Sequence, residues 1–223
     1  NTLTPTPTPT TTQLFVQNEE MRAKFYALPE HIRTHLLHAY IHDQVIAFVF
    51  ETGMGEYVGV KNKQTITDIF KSCTQMKESK MRRETRGIFR CLEHMNEIRK
   101  DIASDSQEIN ENAMLCLTPD MLQYAHIHLL GAVSQDDAGK WRRFEAYPYG
   151  FSFKYTTPSL ISSEMFRWTD ALAQQLLETH TAPLGLKDTF KLAAFSMFNF
   201  VDVHPFTDGN GRMCRVIASS MLS

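Results

Sequence analysis

"LAAFSMFNFVDVHPFTDGNGRMCR", residues 192–215, decides the fold that we expect, because an apolar helix leads through a short polar loop into another helix. Apolar residues recur there at intervals of three and four, and others fill the remaining sides: Phe190, Ala193, Ala194, Met197, Phe198 and Val201, with Leu192, Phe195 and Phe200 beside them. A helix that is apolar almost all round is typical of the centre of a bundle. We therefore predict a central helix that holds His204 rigidly at its C-terminal end.

Helical spacing also dominates the rest of the chain, where alternating strand patterns are scarce. It runs through residues 18–28, 29–51, 63–76, 82–102, 118–131, 162–180 and 211–222. Thr118 followed by Pro119 is typical of a helix start. The prediction is an all-α fold with one exception. At residues 140–155, aromatic residues alternate around Pro148 and Gly150, which predicts a small β-hairpin.

The composition indicates one substantial folded unit. Of the 223 residues, 43% are hydrophobic, which is enough for a single core. Residues 1–12 alternate Thr with Pro, which removes backbone hydrogen-bond donors and favours an extended, polyproline-like conformation that cannot join that core. We expect a flexible Thr/Pro-rich leader at 1–12 and one helical domain at 13–223.

Charge and cysteine content narrow the classes of partner. A formal net charge of -2 provides no basic surface, so we expect no nucleic-acid partner. No run of 18 apolar residues is present, so we expect no membrane partner. The cysteines show no C-x-x-C spacing and lie in apolar helical surroundings: Cys73, Cys91, Cys116 and Cys214. We therefore expect free thiols, a reducing compartment and a cytoplasmic location.

Histidines invite a metal-site interpretation elsewhere in the chain. Four of them share one helical face by their spacing: His31, His35, His38 and His42. The glutamate of an H-E-x-x-H motif is absent, and a partly solvated helix face is the better interpretation. His126 and His128 are two residues apart, which makes joint coordination awkward on a helix.

The loop that follows the central helix combines several groups that suit phosphate chemistry. Gly209 and Gly211 permit a backbone nest of N–H groups, and a helix with its favourable N-terminal dipole starts there. Arg212 and Arg215 are three residues apart and offer planar forks to phosphate oxygens. Asp208 supplies a hard oxygen ligand of the kind that Mg²⁺ prefers.

His204 completes this set, because its ordinary pKa lies near neutrality and it can take a proton from a hydroxyl. The residues together indicate phosphoryl-type transfer from a nucleotide. Neither a P-loop nor a kinase glycine-rich loop is present in the sequence.

The segment "HPFTDGNGRMCR", residues 204–215, resembles the Fic-domain family motif H-P-F-x-[D/E]-G-N-G-R-x-x-R and satisfies every position. "DAGKWRR" (137–143) is similar to the family segment that leads into its flap, and "YAHIHLL" (124–130) is similar to the helix before that. The resemblance extends from about Gln13 to the end. It implies a compact Fic-type helical bundle with a small β-hairpin flap.

The resemblance implies transfer of AMP from ATP to a Ser, Thr or Tyr hydroxyl of a target protein. His204 would be the base, Phe206 a buried anchor and Asp208 the Mg²⁺ ligand. The remaining positions would hold the phosphates of ATP: Gly209, Asn210, Gly211, Arg212 and Arg215. Gly211 favours AMP transfer over phosphorylation, because the kinase-like Doc branch of the family typically has Lys there.

Two further segments gain a role from the resemblance. The flap would dock the target by strand-like hydrogen bonds along six residues: Tyr149, Gly150, Phe151, Ser152, Phe153 and Lys154. The alternative is that these aromatic residues only pack the hairpin down. "ETGMGEYV", residues 51–58, is similar to the inhibitory motif [S/T]-x-x-x-E-[G/N], with Thr52 and Glu56 in place and Tyr57 departing from it. Glu56 would then pair with Arg215 and restrain the site. The alternative is a surface turn over residues 52–60.

Several alternatives stay open at this point. The chain could be a non-enzymatic nucleotide sensor, use a nucleotide donor other than ATP, or also remove AMP from its target. A homo-oligomer is open as well, and the sequence does not name the target protein. Because the family core normally continues past the motif helix, we expect the sequence to be truncated after Ser223.

Overall fold

The computed structural model describes residues 16, 20, 21, 23–71, 79–105, 117–178 and 185–222. The predicted leader at 1–12, Cys73 and Cys116 lie outside the described residues. The all-α prediction is confirmed. The described residues form these α-helices: α1 Glu30–Gly55, α2 Lys63–Lys71, α3 Lys80–Asp105, α4 Pro119–Leu130, α5 Ile161–Glu178, α6 Leu186–Val203 and α7 Asn210–Leu222. Among these residues no helix is both long and apolar enough to cross a membrane.

Local signals explain where the helices that carry the site begin and end. At α4, the Thr118 hydroxyl accepts a 3.2 Å hydrogen bond from the N–H of Met121, and Pro119 occupies the first turn. The helix α1 continues to Gly55. The alternative interpretation, a surface turn over residues 52–60, does not hold for 52–55, which are helical, and a turn begins only at Glu56.

The most buried helix is α7, not α6 as predicted. Nine residues of α7 are buried: Asn210, Arg212, Met213, Cys214, Val216, Ile217, Ala218, Ser220 and Met221. This helix packs on α6 and α3 and also touches α1. α6 instead buries Leu192, Ala193 and Phe200 while Phe198 stays 72% exposed. Because α7 and α5 cover only one side of α6, an apolar surface alone did not identify the central helix.

The predicted hairpin at 140–155 is not confirmed, because no strand occurs in the described ranges. The segment does reverse direction, at a turn where Gly150 has φ +80° and the N–H of Phe151 donates to the Pro148 carbonyl over 3.2 Å. One further hydrogen bond closes the loop, from the N–H of Tyr155 to the carbonyl of Ala146 over 3.0 Å. We call residues 144–156 the flap loop, and it is a closed loop without a β-ladder.

Candidate active site

His204 lies at the C-terminal end of α6 in the left-handed region, with φ 49° and ψ 59°, and its N–H donates to Phe200 over 3.0 Å. Helices often end in this conformation, and Pro205 stops any continuation. The imidazole stacks on the ring of Tyr155, with centroids 4.0 Å apart and planes 10° apart. Burial, followed by the nearby charge of Arg142, lowers the pKa of His204 below its ordinary 6.5. A neutral imidazole at pH 7 follows, as a general base requires.

Reciprocal hydrogen bonds hold the loop between α6 and α7 closed. The side chain of Asn210 accepts from the N–H of Phe206 over 2.9 Å and donates to the Phe206 carbonyl over 2.7 Å. Both residues are buried. The Asn210 amide is thus occupied by the loop itself, so only its backbone N–H remains to contact a phosphate.

His126 on α4 supports the same loop from beneath. Its ring stacks on Phe206 with centroids 3.6 Å apart, and Nδ1 accepts a 2.9 Å hydrogen bond from the N–H of Gly139. Nε2 must then carry the proton, and it donates to the carbonyl of Asp208 over 2.9 Å. Burial above all lowers the pKa of His126 to about 4. His126 therefore positions the loop as a neutral side chain.

The two glycines of the loop serve different purposes. Gly209 has φ +80°, a conformation that other residues rarely adopt, and its added β-carbon would lie 3.1 Å from Nε2 of His126. Gly211 is inside α7, and an added β-carbon there would collide with the carboxylate of Glu56. Conformation requires the first glycine, whereas space requires the second.

An ion pair connects the start of α7 to the loop before it, and its Arg212 side is buried while its Asp208 side is exposed. The Arg212 side chain is only 1% exposed, and its Nη2 donates to Oδ2 of Asp208 over 2.9 Å. Nε and Nη1 of Arg212 are buried and find no hydrogen-bond partner among the described residues. The first N–H groups of a helix also lack an acceptor within it. An anion placed beside this turn would satisfy both sets of donors.

The Asp208 carboxylate fits a hard cation. Its side chain is 69% exposed, and Oδ1 accepts the N–H of Gly209 over 2.6 Å. Burial raises its pKa, but the charge and hydrogen bond of Arg212 and the N–H of Gly209 outweigh this and hold the pKa below its usual value. No group of three metal-binding side chains occurs in the described part of the chain. One ionised carboxylate together with substrate phosphates is nevertheless a common arrangement for Mg²⁺.

Glu56 reaches the same place from the opposite side. It follows the last residue of α1, and its Oε1 accepts a hydrogen bond from Nη1 of Arg215 on α7. Both side chains are partly buried. Thr52, one turn earlier on α1, is buried. The carboxylate of Glu56 thus lies over Gly211 and holds the guanidinium of Arg215 in an ion pair.

Two residues of α3 fasten the turn that carries Glu56. The N–H of Gly59 donates to Oε2 of the buried Glu84 over 2.9 Å, and the N–H of Val60 donates to Oγ1 of Thr85 over 2.9 Å. A β-carbon on Gly59 would come within 2.8 Å of that hydroxyl oxygen, so the approach is close. These contacts fix the position of Glu56 through the backbone that follows it.

The flap loop presents aromatic side chains to solvent. Tyr149 is fully exposed, and Phe151 and Phe153 are more than half exposed. The Phe153 ring still lies 5.8 Å from that of Phe151 and 6.1 Å from that of Tyr155, measured between centroids. Lys154 pairs with Glu145 at 3.6 Å across the loop. On the histidine face of α1, His31 is exposed and His42 contacts Asp43, whereas the side chains of His35 and His38 lie outside the described residues.

Several residues that shape the site were not assigned to it by the sequence analysis. His126, Tyr155, Glu84 and Thr85 act from α4, the flap loop and α3, far from the motif along the chain. Arg142 belongs to the quoted segment before the flap, but its spacing says nothing about its contacts. Only the fold brings these side chains to the motif.

An all-α fold with a loop of this kind between two packed helices is shared with known proteins. The sequence model of the Fic/DOC family matches residues 116–222. The structure is similar to that of a Fic-1 fragment from C. elegans, with a TM-score of 0.66 at 18% identity; the match covers 95% of this chain and 56% of the fragment. A Fic domain containing signaling protein from Bacteroides thetaiotaomicron gives a TM-score of 0.69 at 17% identity, over 93% of this chain and 71% of that one. These likenesses concern the fold.

Two relatives found by sequence similarity also carry names of this family. A Fido domain-containing protein of Dictyostelium discoideum is 35% identical over 68 residues, which is 30% of this chain and 43% of that protein. A protein named protein adenylyltransferase Fic, from Culex quinquefasciatus, is 29% identical over 119 residues, 51% of this chain and 21% of that protein. The chain thus spans less than half of the curated relatives it matches. Residues 116–222 belong to the Fic/DOC family. This range includes the part of the candidate site from α4 to α7, whereas Glu56 and the two α3 residues that hold its turn lie before it.

Proposed function

We propose that this chain is a protein adenylyltransferase, which transfers AMP from ATP to a hydroxyl side chain of a target protein. Transferase activity at the level of the family follows from its homologues. One observation carries the particular reaction: the loop 205–209 connects His204 to Arg212. The pKa of His204 is lowered, and two buried nitrogen atoms of Arg212 have no hydrogen-bond partner among the described residues. A base for a hydroxyl and donors for a phosphate are thus held at the two ends of one closed loop.

The proposed reaction follows from these positions. The imidazole of His204 accepts the proton of the target hydroxyl while the hydroxyl oxygen forms a bond to the α-phosphorus. The bond from that phosphorus to the bridging oxygen breaks, and pyrophosphate leaves. The N–H groups of Gly209, Asn210 and Gly211 would face the α-phosphate oxygens, where negative charge develops. Arg212 would neutralise the outer phosphates.

The other residues would complete the active arrangement. Asp208 would hold a magnesium ion, which supplies neutralisation of phosphate charge when bound. The exposed flap loop, from Tyr149 to Lys154, would offer its backbone and aromatic side chains to an extended segment of the target. Gly211 leaves no room for a side chain beside Glu56 and so supports AMP transfer rather than the phosphorylation associated with lysine there.

We further propose that Glu56 restrains the enzyme. Its carboxylate pairs with Arg215 and lies against Gly211. A phosphate group of ATP would have to compete for the same guanidinium, because a carboxylate and a phosphate present similar oxygens to it. Glu56→Gly should therefore raise transfer at least about tenfold, which corresponds to the removal of roughly 1.4 kcal/mol of competing interaction.

The test uses ATP labelled at the α-phosphate and, in parallel, at the γ-phosphate, with candidate target proteins and with the chain itself as acceptors. Transfer of the α label alone, with an adduct of the mass of AMP, supports the proposal. We expect His204→Ala to lose the transfer by about 10²–10⁴-fold while His31→Ala, at an exposed histidine of α1, keeps it. ATP binding without any transfer in wild type and Glu56→Gly would instead support a nucleotide sensor.

The same assay separates the remaining alternatives. Transfer of a γ label would indicate phosphorylation, and an adduct of a different mass would indicate another nucleotide donor. Release of AMP from a previously modified target, lost in Glu56→Gly, would show that the chain also runs the reverse reaction. Unchanged transfer in Glu56→Gly would overturn the restraint proposed for this glutamate.

A further inference from the structure

The side chain of Arg142 donates four hydrogen bonds to backbone carbonyl groups around the site. The residue is only 2% exposed. Nε donates to the carbonyl of His204 over 2.7 Å, and Nη1 donates to the carbonyl of Phe144 over 2.7 Å. Nη2 donates to the carbonyls of Thr156 and Val203, the latter over 3.2 Å. One guanidinium therefore binds four backbone carbonyls.

These carbonyls belong to two parts of the site. Val203 and His204 are the last residue of α6 and the residue that caps it, where carbonyl groups lack partners within the helix and the dipole is negative. Phe144 and Thr156 are the two ends of the flap loop. A positive planar fork suits both needs at once, since it supplies several donors in fixed directions.

The guanidinium of Arg142 is connected to the imidazole of His204 in two ways. The carbonyl of His204 is held by Arg142, and the ring stacks on Tyr155, whose neighbour Thr156 is held by the same guanidinium. Backbone hydrogen bonds add to the connection, because the N–H of Arg142 donates to Pro205 over 2.9 Å. Both the residue that carries the imidazole and the surface on which it rests are therefore tied to Arg142.

We infer that Arg142 is a positioning residue, whose guanidinium ties the end of α6 to both ends of the flap loop and so orients the imidazole of His204 toward the target hydroxyl. The catalytic consequence rests on the proposed function, whereas the structural one does not. The charged groups that act on the imidazole are Arg142, which favours its neutral form, and Glu56, which favours its protonated form. Tyr155 contributes its ring on one side.

The test compares Arg142→Lys and Arg142→Gln with matched changes at the neighbouring Arg143, which is exposed. We expect both Arg142 variants, in wild type and in the Glu56→Gly background, to lose about 10–100-fold in kcat while ATP affinity changes less than about twofold. Arg143→Lys and Arg143→Gln should leave both quantities unchanged. A folded Arg142 variant with wild-type kcat would overturn the inference.

NMR of the imidazole and guanidinium groups tests the inference without any turnover. In ATP-free protein, Arg142→Gln should raise the pKa of His204 by removing a positive charge, and Arg142→Lys should raise it less. If the variants fail to fold, the wild-type protein still decides, because Nε–H of Arg142 should exchange with water at least about tenfold more slowly than that of Arg143. Equal exchange rates would overturn the inference.

The two arms separate this inference from the proposed function. Absence of transfer in wild type and in Glu56→Gly would count against the adenylyltransferase alone. The exchange of Nε–H and the titration of His204 would then still support or overturn the positioning role of Arg142.

Discussion

At the scale of single residues, the pair formed by Asp208 and Arg212 joins an exposed carboxylate to a buried guanidinium. The carboxylate of Asp208 is held by Arg212 and by the N–H of Gly209 but stays open to solvent and to a cation, whereas the guanidinium of Arg212 is enclosed. The pair therefore places a negative group at the surface of the site while it keeps the positive group fixed beneath it. The charge of Asp208 is maintained at neutral pH because its pKa is held below the usual value.

We predict that Asp208→Asn weakens binding of Mg²⁺–ATP by at least about tenfold, because the substitution removes the charge that a hard cation prefers and keeps the size of the side chain. Calorimetric titration with ATP, in the presence of Mg²⁺ and in its absence, measures this. Asp136→Asn, at an exposed position before the flap, is the control. Equal loss of affinity with and without Mg²⁺ would contradict a role in holding the cation.

At the scale of elements, α3 positions the turn after α1 through two side-chain acceptors, Glu84 and Thr85. A net hydrogen bond of this kind contributes about 1 kcal/mol. The loss of one acceptor should free the turn without removing any group that would contact ATP. The restraint by Glu56 is thus expected to depend on a helix that provides no motif residue.

We predict that Thr85→Val raises basal AMP transfer roughly threefold to tenfold, since the nearly isosteric valine cannot accept the N–H of Val60. The increase should stay below that of Glu56→Gly and should vanish in the Glu56→Gly background. Thr67→Val is a matched control: the hydroxyls of Thr85 and Thr67 each donate to a carbonyl one turn back, that of Met81 and that of Lys63, but Thr67 does not touch the turn. Additive effects of Thr85→Val and Glu56→Gly would argue against this route.

The packing of α3 on α4 brings one histidine ring beside another. His94 of α3 lies 4.7 Å from His128 and 4.9 Å from Tyr124, measured between ring centroids, and its Nε2 is buried without a hydrogen-bond partner among the described residues. Burial, followed by the charge of His128, lowers the pKa of His94 below 6.5, whereas Glu97 opposes the shift. The unfolded chain therefore binds more protons than the folded chain as the pH falls below 6.5.

We predict that the free energy of unfolding decreases as the pH is lowered from 7 to 5, and that His94→Phe makes this decrease shallower. Phenylalanine keeps an aromatic ring against His128 and Tyr124 but takes up no proton. Denaturant unfolding at each pH provides the measurement, with His31→Phe on the exposed face as control. An unchanged slope in His94→Phe would show that this imidazole does not carry the pH dependence.

At the scale of the whole molecule, burial is unevenly divided between the two helices that bear the motif. α7 lies between α6 and α3, whereas α6 has one side toward solvent. Phe198 and Phe200 are two residues apart on α6, yet Phe198 is 72% exposed and Phe200 is buried against Trp168 and Phe206. The stability of the molecule should therefore depend on one of these side chains and hardly on the other.

We predict that Phe200→Ala lowers the free energy of unfolding by about 3–5 kcal/mol, the cost of a cavity in a packed core. Phe198→Ala should change it by less than about 1 kcal/mol, as is usual for surface positions. Equilibrium denaturation of both variants under the same conditions measures the difference. Comparable losses in the two variants would mean that α6 is covered on both sides in solution.

The sequence by itself determined the helical class, the family and the identity of the motif residues, because helical periodicity and the spacing of 204–215 are local properties of the chain. It also placed Glu56 in a recognisable segment. The contacts that give these residues their chemistry are not local. Arg142 reaches the carbonyl of His204 across 62 residues, and Glu56 reaches Arg215 across 159.

Only the tertiary structure decided which helix is buried, what occupies the space above Gly211 and which side chains hold His204. Apolar content did not distinguish α6 from α7, because burial depends on how many neighbours cover a helix and not on its own composition. The β-hairpin expected at 140–155 is described as a closed loop, because alternation predicts a strand only where a partner strand completes the hydrogen bonds. Here the partners of this segment are the guanidinium of Arg142 and the loop after α6.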